Sequence, residues 1–312
     1  MRSKLKVAVI VPLLNESQNI SRYYYELKKT TTELKKYKFS YLFVDDGSSD
    51  DSWDKIIYLT QHDKQVSAIK FSRNFGSHSA WYAGIKAVKE VDACILTTID
   101  LQDPLILIPV MLEKFQNGAK LVCAVRRDRK DILLTKILSQ CYYFLVKKFA
   151  LPNMPSGGVD FCLIAKKIIQ DLIEMGEKNT SLIGLILWLG YSYAEVFYVR
   201  NKRRFGKSKW TIFKKVKLFI DTFVGFSFMP IRLVSYLGFL FSTLGFLYAI
   251  IIFVRRIIYG APIEGWSSLM LVVLILSGVQ LITLGIVAEY LWRTLDASRQ
   301  RPLYVIEKQV NL

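Results

Sequence analysis

The chain has 312 residues, of which 52% are hydrophobic and 22% are charged, and its mean hydropathy is +0.26. This apolar content excludes a disordered chain and the charge excludes a transporter with many spans, so we expect a soluble domain joined to a short membrane segment. Lys and Arg number 43 against 26 Asp and Glu, and the net charge of +17 indicates an anionic partner.

The four cysteines, at positions 94, 123, 141 and 162, are scattered and form no CxxC pair. This pattern predicts a reducing compartment and argues against a disulfide framework or a zinc site. The apolar run VAVIVPLL near the N-terminus is short for a signal peptide, and no small-residue cleavage site follows it.

The first two hundred residues alternate short apolar runs with longer amphipathic ones. The short runs predict buried strands that begin at Lys6, Phe39, Val66, Ala93 and Lys120, and the stretches 17–37, 51–62 and 79–90 predict helices. Strands that alternate with helices predict an α/β domain with a mostly parallel sheet covered on both faces.

Polar residues follow the first four predicted strands, and ligands of such sheets bind beyond the carboxyl ends of the strands. These residues are Asn15 and Glu16, then Asp45 and Asp46, then Arg73 and Asn74, then Asp100, Gln102 and Asp103. Acidic side chains that lie close together repel one another unless they bind a cation or accept hydrogen bonds from a sugar and base. No GxGxxG follows the first strand and no GxxxxGK[ST] occurs, so neither an NAD-type fold nor a P-loop is supported.

A basic segment follows this domain. Residues 200–217 carry nine Lys or Arg residues and no acid. In the overlapping stretch 210–226, apolar residues recur at helical spacing while Lys214, Lys215 and Lys217 fall on the opposite side. The pattern predicts an amphipathic helix in the lipid headgroup layer, with a helix packed on the soluble domain as the alternative.

Two uncharged stretches are long enough to cross a bilayer, which takes about 20 apolar residues. They span residues 233–254 and 265–288, with 22 and 24 residues, and the short loop between them predicts a hairpin. A pair of buried core helices is the alternative. The loop side has only Arg255 and Arg256 against Glu264, so we expect both termini to be cytoplasmic and the protein to lie in the inner membrane. The predicted segments are a catalytic domain (1–205), a juxtamembrane segment (206–231), a hairpin (232–292) and a C-terminal tail (293–312).

The order VPLLNE, VDDGSSDDS, FSRNFG, DLQDP and RFGKSKW, followed by a two-span hairpin, resembles GT-A-fold family 2 glycosyltransferases. It is most similar to the polyprenyl-phosphate type, which includes bactoprenol glucosyltransferases and dolichyl-phosphate mannose synthases. The motifs cover residues 7 to 210, and the hairpin extends the resemblance to about residue 295. It implies inverting transfer of a hexose, with UDP-glucose as the expected donor, to undecaprenyl phosphate or another polyprenyl phosphate, which gives a β-linked product.

The resemblance implies that the first two strand ends hold the nucleotide. The residues carried over are Pro12, Asn15, Glu16, Asp45 and Asp46, and Arg73 and Asn74 match the RNFG segment. An ordinary tight turn at 46–48, and a loop at 73–74 that packs the site without touching the nucleotide, are the alternatives.

The DLQDP segment matches the metal motif of the family, so Asp100 and Gln102 are expected to bind Mg²⁺ or Mn²⁺ against the diphosphate. The first acid of that motif is replaced here by Thr98, which offers a hydroxyl and no charge. Asp103 or the diphosphate itself would then supply the missing oxygen ligands.

The resemblance also assigns an acceptor side. Asp160, in the segment SGGVDF, is the candidate base or a group that orients the acceptor phosphate, with the N-cap of a helix beginning near Leu163 as the alternative. Cys162 departs from the arginine of the family. The RFGKSKW segment is expected to clamp phosphate groups through Arg203, Arg204, Ser208 and Lys209, with Arg204 counted as catalytic, and a general basic collar on anionic lipid is the alternative.

The expected partners are a nucleotide sugar, polyprenyl phosphate and the lipid membrane, with a flippase and a downstream glycosyltransferase acting on the product. The small-xxx-small pattern Gly238 to Ser242 predicts a homo-oligomer. Nucleic acid is not expected, because the basic residues concentrate beside the membrane. Rival functions are a transferase that uses another donor such as GDP-mannose and a non-catalytic subunit that binds nucleotide sugar or lipid; a processive synthase would need a QxxRW motif and more spans. His78 has no assigned role.

Overall fold

The computed structural model describes residues 4–88, 90–128, 133–155, 157–177, 181–201, 212–259 and 265–312. The chain forms two compact units. The first comprises Met1–Thr222 together with Pro302–Leu312, and the second comprises Phe223–Arg301. The chain therefore leaves the first unit once and returns to it for its last residues.

The first unit is built on one sheet that has eight strands among the described residues. The strands are β1 (Leu5–Leu13), β2 (Tyr37–Asp45), β3 (Val66–Phe71), β4 (Ala93–Leu96), β5 (Leu121–Asp128), β6 (Phe161–Ala165), β7 (Tyr193–Val199) and β8 (Ile306–Val310). Their order across the sheet is β7-β5-β6-β4-β1-β2-β3-β8. The pairs are parallel except those that involve β6 and β8, which run antiparallel to their neighbours. A mostly parallel α/β sheet is thus confirmed.

The helices of the first unit connect these strands. They are α1 (Ser17–Thr32), α2 (Ser52–His62), α3 (Ser77–Ala87), α4 (Leu107–Gln116), α5 (Leu133–Phe149), α6 (Lys166–Met175) and α7 (Leu182–Trp188), and α8 (Ile212–Phe226) runs on into the second unit. Strand β1 is buried from Val7 to Leu13. A continuous apolar strand of this kind lies in the middle of a sheet that has helices on both faces.

Four elements differ from the sequence expectations. Helix α1 ends at Thr32 rather than Tyr37, because β2 begins at that tyrosine. The helix near Leu163, on which the alternative role of Asp160 depends, is not formed, since residues 161–165 form the buried strand β6. Strands β7 and β8 were not anticipated. The side chains of β8 are mostly exposed, so its sequence IEKQV lacks the apolar signal of a buried strand.

The second unit contains two long apolar helices, α9 (Met229–Tyr259) and α10 (Trp266–Ser298). By length and composition, Met229–Arg255 and Ile275–Ser298 could each cross a membrane, with mean hydropathies of 2.3 and 1.5. No residue whose burial is described in either stretch is buried within the structure. Such exposed apolar surface is typical of a membrane-facing helix pair and contradicts the alternative of two soluble core helices.

Candidate active site

The loops that follow β1 and β2 are joined by hydrogen bonds. The Asn15 N–H donates to the Ser48 hydroxyl at 2.8 Å, and the Ser49 N–H donates to the Asn15 side-chain oxygen at 2.8 Å. The Glu16 N–H donates to the Ser52 hydroxyl at 3.0 Å. Pro12 is buried in β1. The structure therefore brings Asn15 and Glu16, but not the buried ring of Pro12, to the surface of this edge.

Asp45 closes the turn that follows β2. Its Oδ1 accepts a hydrogen bond from the Ser48 N–H at 2.9 Å, and the residue has no exposed surface. Its Oδ2 has no hydrogen-bond partner within the part of the chain that the structure describes. Burial raises the pKa of this carboxyl, and the hydrogen bonds from Ser48 oppose the rise.

The neighbouring Asp46 holds the loop that follows β3. Its carboxylate accepts hydrogen bonds from the Phe75 N–H at 2.6 Å and from the Gly76 N–H at 2.9 Å. Gly47 has φ of +77°, and a Cβ there would lie 2.5 Å from the backbone carbon of Arg73, so only glycine fits this crossing of two loops. The turn expected at 46–48 thus exists, and its acid and its glycine both serve to seat the 73–76 loop.

Arg73 and Asn74 are exposed on this seated loop. The Arg73 guanidinium lies over the Phe75 ring at 4.1 Å from its centroid. Both side chains are therefore presented at the edge that also carries Asn15 and Glu16, as the order of the motifs predicts.

Two carboxylates of the DLQDP segment meet at one hydroxyl. Thr98 Oγ1 lies 3.0 Å from Asp100 Oδ1 and 3.3 Å from Asp103 Oδ2, and its single proton can be donated to only one of them at a time. The Gln102 N–H also donates to Asp100 Oδ1 at 3.2 Å. No cluster of three or more His, Cys, Asp or Glu side chains that could hold a metal is found in the described ranges.

A buried polar network joins Asp103 to Asp160. The Tyr198 hydroxyl donates to Asp103, Arg126 Nε donates to the Tyr198 hydroxyl at 3.1 Å, and Arg126 forms an ion pair with Asp160. The Asp160 side chain is 47% exposed whereas that of Arg126 is 10% exposed, so the acid faces outward from a buried cation. Burial and the nearby charge of Asp160 raise the pKa of Asp103, although Tyr198 and Arg126 oppose the rise.

Sequence reasoning missed Arg126 and Tyr198. Arg126 lies near the carboxyl end of β5, a predicted strand, so the rule applied to the first four strand ends would have found it. Tyr198 lies near the carboxyl end of β7, which the sequence analysis did not predict, so the rule could not have found it. The alternative of an N-cap role for Asp160 is excluded, because β6 begins at the next residue. Cys162 lies inside β6 and is 1% exposed, so it faces the core.

The chain that enters the basic segment is tied to the DLQDP loop. The Asn201 N–H donates to the Gln102 carbonyl at 2.9 Å, and Gln102 Nε2 donates to the Asn201 carbonyl at 3.3 Å. Arg200 Nε lies 3.9 Å from Asp103 Oδ1. Arg203, Arg204, Ser208 and Lys209 lie outside the described residues.

Helix α8 contacts α5 in the first unit and also exposes apolar residues. The Phe219 and Tyr142 rings lie 6.1 Å apart, and the Tyr142 hydroxyl is 3.4 Å from that of Thr222. Val216 and Ile220 are 50% and 41% exposed. Packing of α8 on the first unit is therefore observed, and it leaves these two apolar side chains exposed.

Comparison with known proteins gives a consistent result. The Glycosyl transferase family 2 profile matches residues 8–173, and the GtrB C-terminal hairpin profile matches residues 229–293. The chain is 33% identical to a bactoprenol glucosyl transferase of Shigella phage SfV over 98% of this chain and 99% of that one. It is 33% identical to a prophage bactoprenol glucosyl transferase homolog of Escherichia coli K12 (97% and 99%), and 35% identical to an uncharacterized glycosyltransferase of Bacillus subtilis 168, YkcC (100% and 96%).

Proposed function

Because the chain belongs to glycosyltransferase family 2 and is a glycosyltransferase, we propose that it transfers a glucosyl group from UDP-glucose to a polyprenyl phosphate such as undecaprenyl phosphate. The observation that carries the proposal is one chain with both a family 2 domain and a GtrB hairpin, similar over nearly its full length to bactoprenol glucosyl transferases. In one in-line displacement, an oxygen of the acceptor phosphate forms a bond to the anomeric carbon of the glucosyl group. The bond between that carbon and the UDP oxygen breaks in the same step. The inverted product is a β-linked polyprenyl-phosphate glucose.

The nucleotide is assigned to the edge formed by the loops after β1, β2 and β3. Exposed Asn15 and Arg73 offer an amide and a guanidinium, and Glu16 offers a carboxylate that can accept from ribose hydroxyls. Asp46 acts indirectly, because its carboxylate holds the 75–76 backbone and thereby the loop that carries Arg73 and Asn74. Asp45 can bind the base of the nucleotide only if the turn that buries this carboxyl opens.

A divalent cation fits the DLQDP segment. Asp100 and Asp103 place carboxylate oxygens around one hydroxyl, and Mg²⁺ is commonly held by one or two carboxylates plus the phosphates of its substrate. Asp100, with Asp103 or the Gln102 side-chain oxygen, would hold Mg²⁺ or Mn²⁺. When bound, the cation would neutralise charge on the departing diphosphate.

Asp160 is assigned to the acceptor. A phosphate monoester has its second pKa near 6, so at pH 7 the acceptor is largely dianionic and needs no base to become nucleophilic. Asp160, held by the buried Arg126, therefore orients the acceptor rather than deprotonating it. Arg203 and Arg204 follow Asn201 by two and three residues. Their closeness in sequence to Asn201, which is bonded to Gln102, supports a phosphate-clamping role.

The proposed location is the inner membrane, with the catalytic domain and both termini in the cytoplasm, where nucleotide sugars are made. The connectivity supports this topology, because the chain leaves the first unit at residue 222 and returns to it at residue 302 after two apolar helices. A homo-oligomer, a flippase and a downstream transferase for cell-surface glycan remain part of the proposal.

The test uses membranes that contain the protein, undecaprenyl phosphate, Mn²⁺ or Mg²⁺ and radiolabelled UDP-glucose, UDP-galactose or GDP-mannose. We expect label from UDP-glucose to enter the organic phase, and Asp100→Ala and Asp160→Ala to abolish it, while the exposed-site control Asp54→Ala retains it. Label from another donor would overturn the assigned sugar. Nucleotide-sugar binding without any labelled lipid would favour a non-catalytic subunit.

A further inference from the structure

A pocket of about 90 Å³ inside the first unit has Asp160 and His78 among its lining residues. Building on the proposed function, we propose that this pocket holds the isoprene units next to the phosphate of the acceptor lipid, and that His78 donates a hydrogen bond to that phosphate. The pocket would thus fix the reacting end of the lipid, while the remainder of the chain stays in the bilayer.

The walls of the pocket are mainly apolar and aromatic. They include Tyr142, Tyr143 and Val146 of α5, Leu151 and Met154 of the following loop, and Ile183 of α7. Ligand pockets typically combine such walls with a few placed polar groups. An isoprenoid segment is branched and purely apolar, so this lining matches it better than it matches a sugar or a nucleotide.

Among the described residues, Asp160 is the one charged side chain in the pocket lining. Asp160 is half-exposed there and is paired with Arg126, whose guanidinium charge offsets that of the acid. Val159 and the turn glycine Gly158 precede Asp160, and a Cβ at Gly158 would overlap the Tyr143 hydroxyl. The Asp160 segment and the aromatic wall are therefore in direct contact. Because Arg126 offsets the charge of Asp160, an anionic head can lie beside this residue while an apolar tail lies along the aromatic wall.

His78 is oriented to donate. Its Nδ1 accepts a hydrogen bond from the Leu182 N–H at 3.3 Å, so the neutral ring carries its proton on Nε2. Burial lowers the pKa of His78, and the carboxylates of Asp160 and Asp221 only partly oppose this, so the ring is neutral at pH 7. Within the described ranges the structure gives Nε2 no acceptor. A phosphate oxygen at the Asp160 end of the pocket would supply one.

The first experiment is photocrosslinking of the full-length chain in lipid nanodiscs. The probe is farnesyl phosphate with a diazirine on its second isoprene unit, with and without excess undecaprenyl phosphate. We expect competed crosslinks at residues of α5 and α7, mapped by mass spectrometry. Crosslinks confined to α9 and α10, or crosslinks that undecaprenyl phosphate does not reduce, would overturn the pocket assignment.

Sugar transfer is measured in the same nanodiscs, so that the two proposals can fail separately. Turnover without competed crosslinks in α5 or α7 overturns the pocket and leaves the proposed function intact. Competed crosslinks without turnover support the pocket and contradict the proposed function. Inorganic phosphate in place of the lipid distinguishes the head from the tail: competition by phosphate alone at the same concentration would overturn the isoprenoid assignment.

The role of His78 is tested by the KM values for acceptor and donor. His78→Phe keeps an aromatic ring but has no N–H to donate. We expect it to raise the acceptor KM about tenfold, which corresponds to the loss of one hydrogen bond to a charged group. The KM for the nucleotide sugar should stay within twofold of the wild-type value. His78→Gln restores an N–H donor and should recover part of this loss. The matched control is His62→Phe, because His62 is exposed on α2. An unchanged acceptor KM in His78→Phe, or an equal rise in both KM values, would overturn the assignment. If His78→Phe does not fold, His78→Gln and the crosslinks carry the test.

Discussion

Gln102 and Asn201 are joined by two hydrogen bonds, one in each direction, although 99 residues separate them in the chain. One bond uses only backbone atoms, and the other uses the Gln102 amide nitrogen as donor. These two hydrogen bonds thus fix the loop that carries the metal-motif acids to the start of the basic segment. Two roles can be assigned to Gln102, one as a support for the segment that we propose to bind phosphate and one as a metal ligand, and we assign it the first.

Gln102→Glu separates these two roles. The substitution replaces the N–H donor with a carboxylate that repels the Asn201 carbonyl. We expect kcat to fall about tenfold, because one hydrogen bond is lost and a repulsion takes its place. The Mn²⁺ concentration for half-maximal activity should not change. Steady-state kinetics over a metal titration measures both, with the exposed Gln61→Glu as control. A lower Mn²⁺ requirement with full kcat would instead identify Gln102 as a direct metal ligand.

Tyr198→Phe tests the network between Asp103 and Asp160. The substitution removes the hydroxyl that donates to buried Asp103 and accepts from Arg126, so it leaves a buried carboxylate short of a donor. We expect a loss of about 2 kcal/mol in the free energy of unfolding and a Tm lower by about 4–8 °C. Differential scanning fluorimetry in detergent measures this. Tyr25→Phe, at a 65% exposed tyrosine, is the control, and equal Tm values for the two variants would count against the network.

The strand ends of the site were predictable because parallel strands place their carboxyl ends at one edge. The sequence VDDGSSDDS identified Asp45 and Asp46, but it could not assign one to a turn and the other to a loop 29 residues away. That division depends on which backbone N–H groups arrive beside each acid, and the chain beyond β3 decides it. The contact between Arg126 and Tyr198 was not predictable for the same reason, since it joins residues 72 positions apart.

The membrane helices were the easiest elements to predict, because the bilayer demands long uncharged stretches whatever their contacts. Strand β8 was the hardest. It lies at the edge of the sheet with most of its side chains in solvent, so no hydrophobic alternation distinguishes it from a polar tail. Its pairing with β3 arises from backbone hydrogen bonds that any sequence without proline could make.

Asp45→Asn should change how stability depends on pH. Burial raises the folded-state pKa of Asp45, so between the unfolded pKa near 4 and the folded pKa the native state binds more protons than the unfolded state. The wild type therefore loses stability as pH rises through this window, and the asparagine variant, which does not titrate, avoids that loss. We expect the difference in Tm, variant minus wild type, to become larger as the pH is raised from 4.5 to 8. Parallel Tm curves for the two proteins would contradict this, and the exposed Asp54→Asn is the control.

Tyr304→Ala tests whether the end of the chain supports the nucleotide loop. The Tyr304 ring stacks on Phe71 with centroids 5.0 Å apart, and the next residue, Val305, accepts a hydrogen bond from the Ser72 N–H at 3.0 Å. Phe71 is the last residue of β3, directly before the loop that Asp46 holds.

Removal of the Tyr304 ring should let the 72–76 loop move, so that part of the donor-binding energy is spent on ordering it. We expect the KM for the nucleotide sugar to rise about fivefold, about 1 kcal/mol, with a smaller change in kcat and an unchanged acceptor KM. Kinetics with each substrate varied in turn measures this, and Tyr58→Ala, at a 60% exposed tyrosine, is the control. A rise in the acceptor KM alone would mean that the C-terminal strand acts through the lipid side of the site. Tyr304→Phe keeps the stacked ring, so it should behave as the wild type; if it matched Tyr304→Ala, the hydroxyl rather than the stacking would be the support.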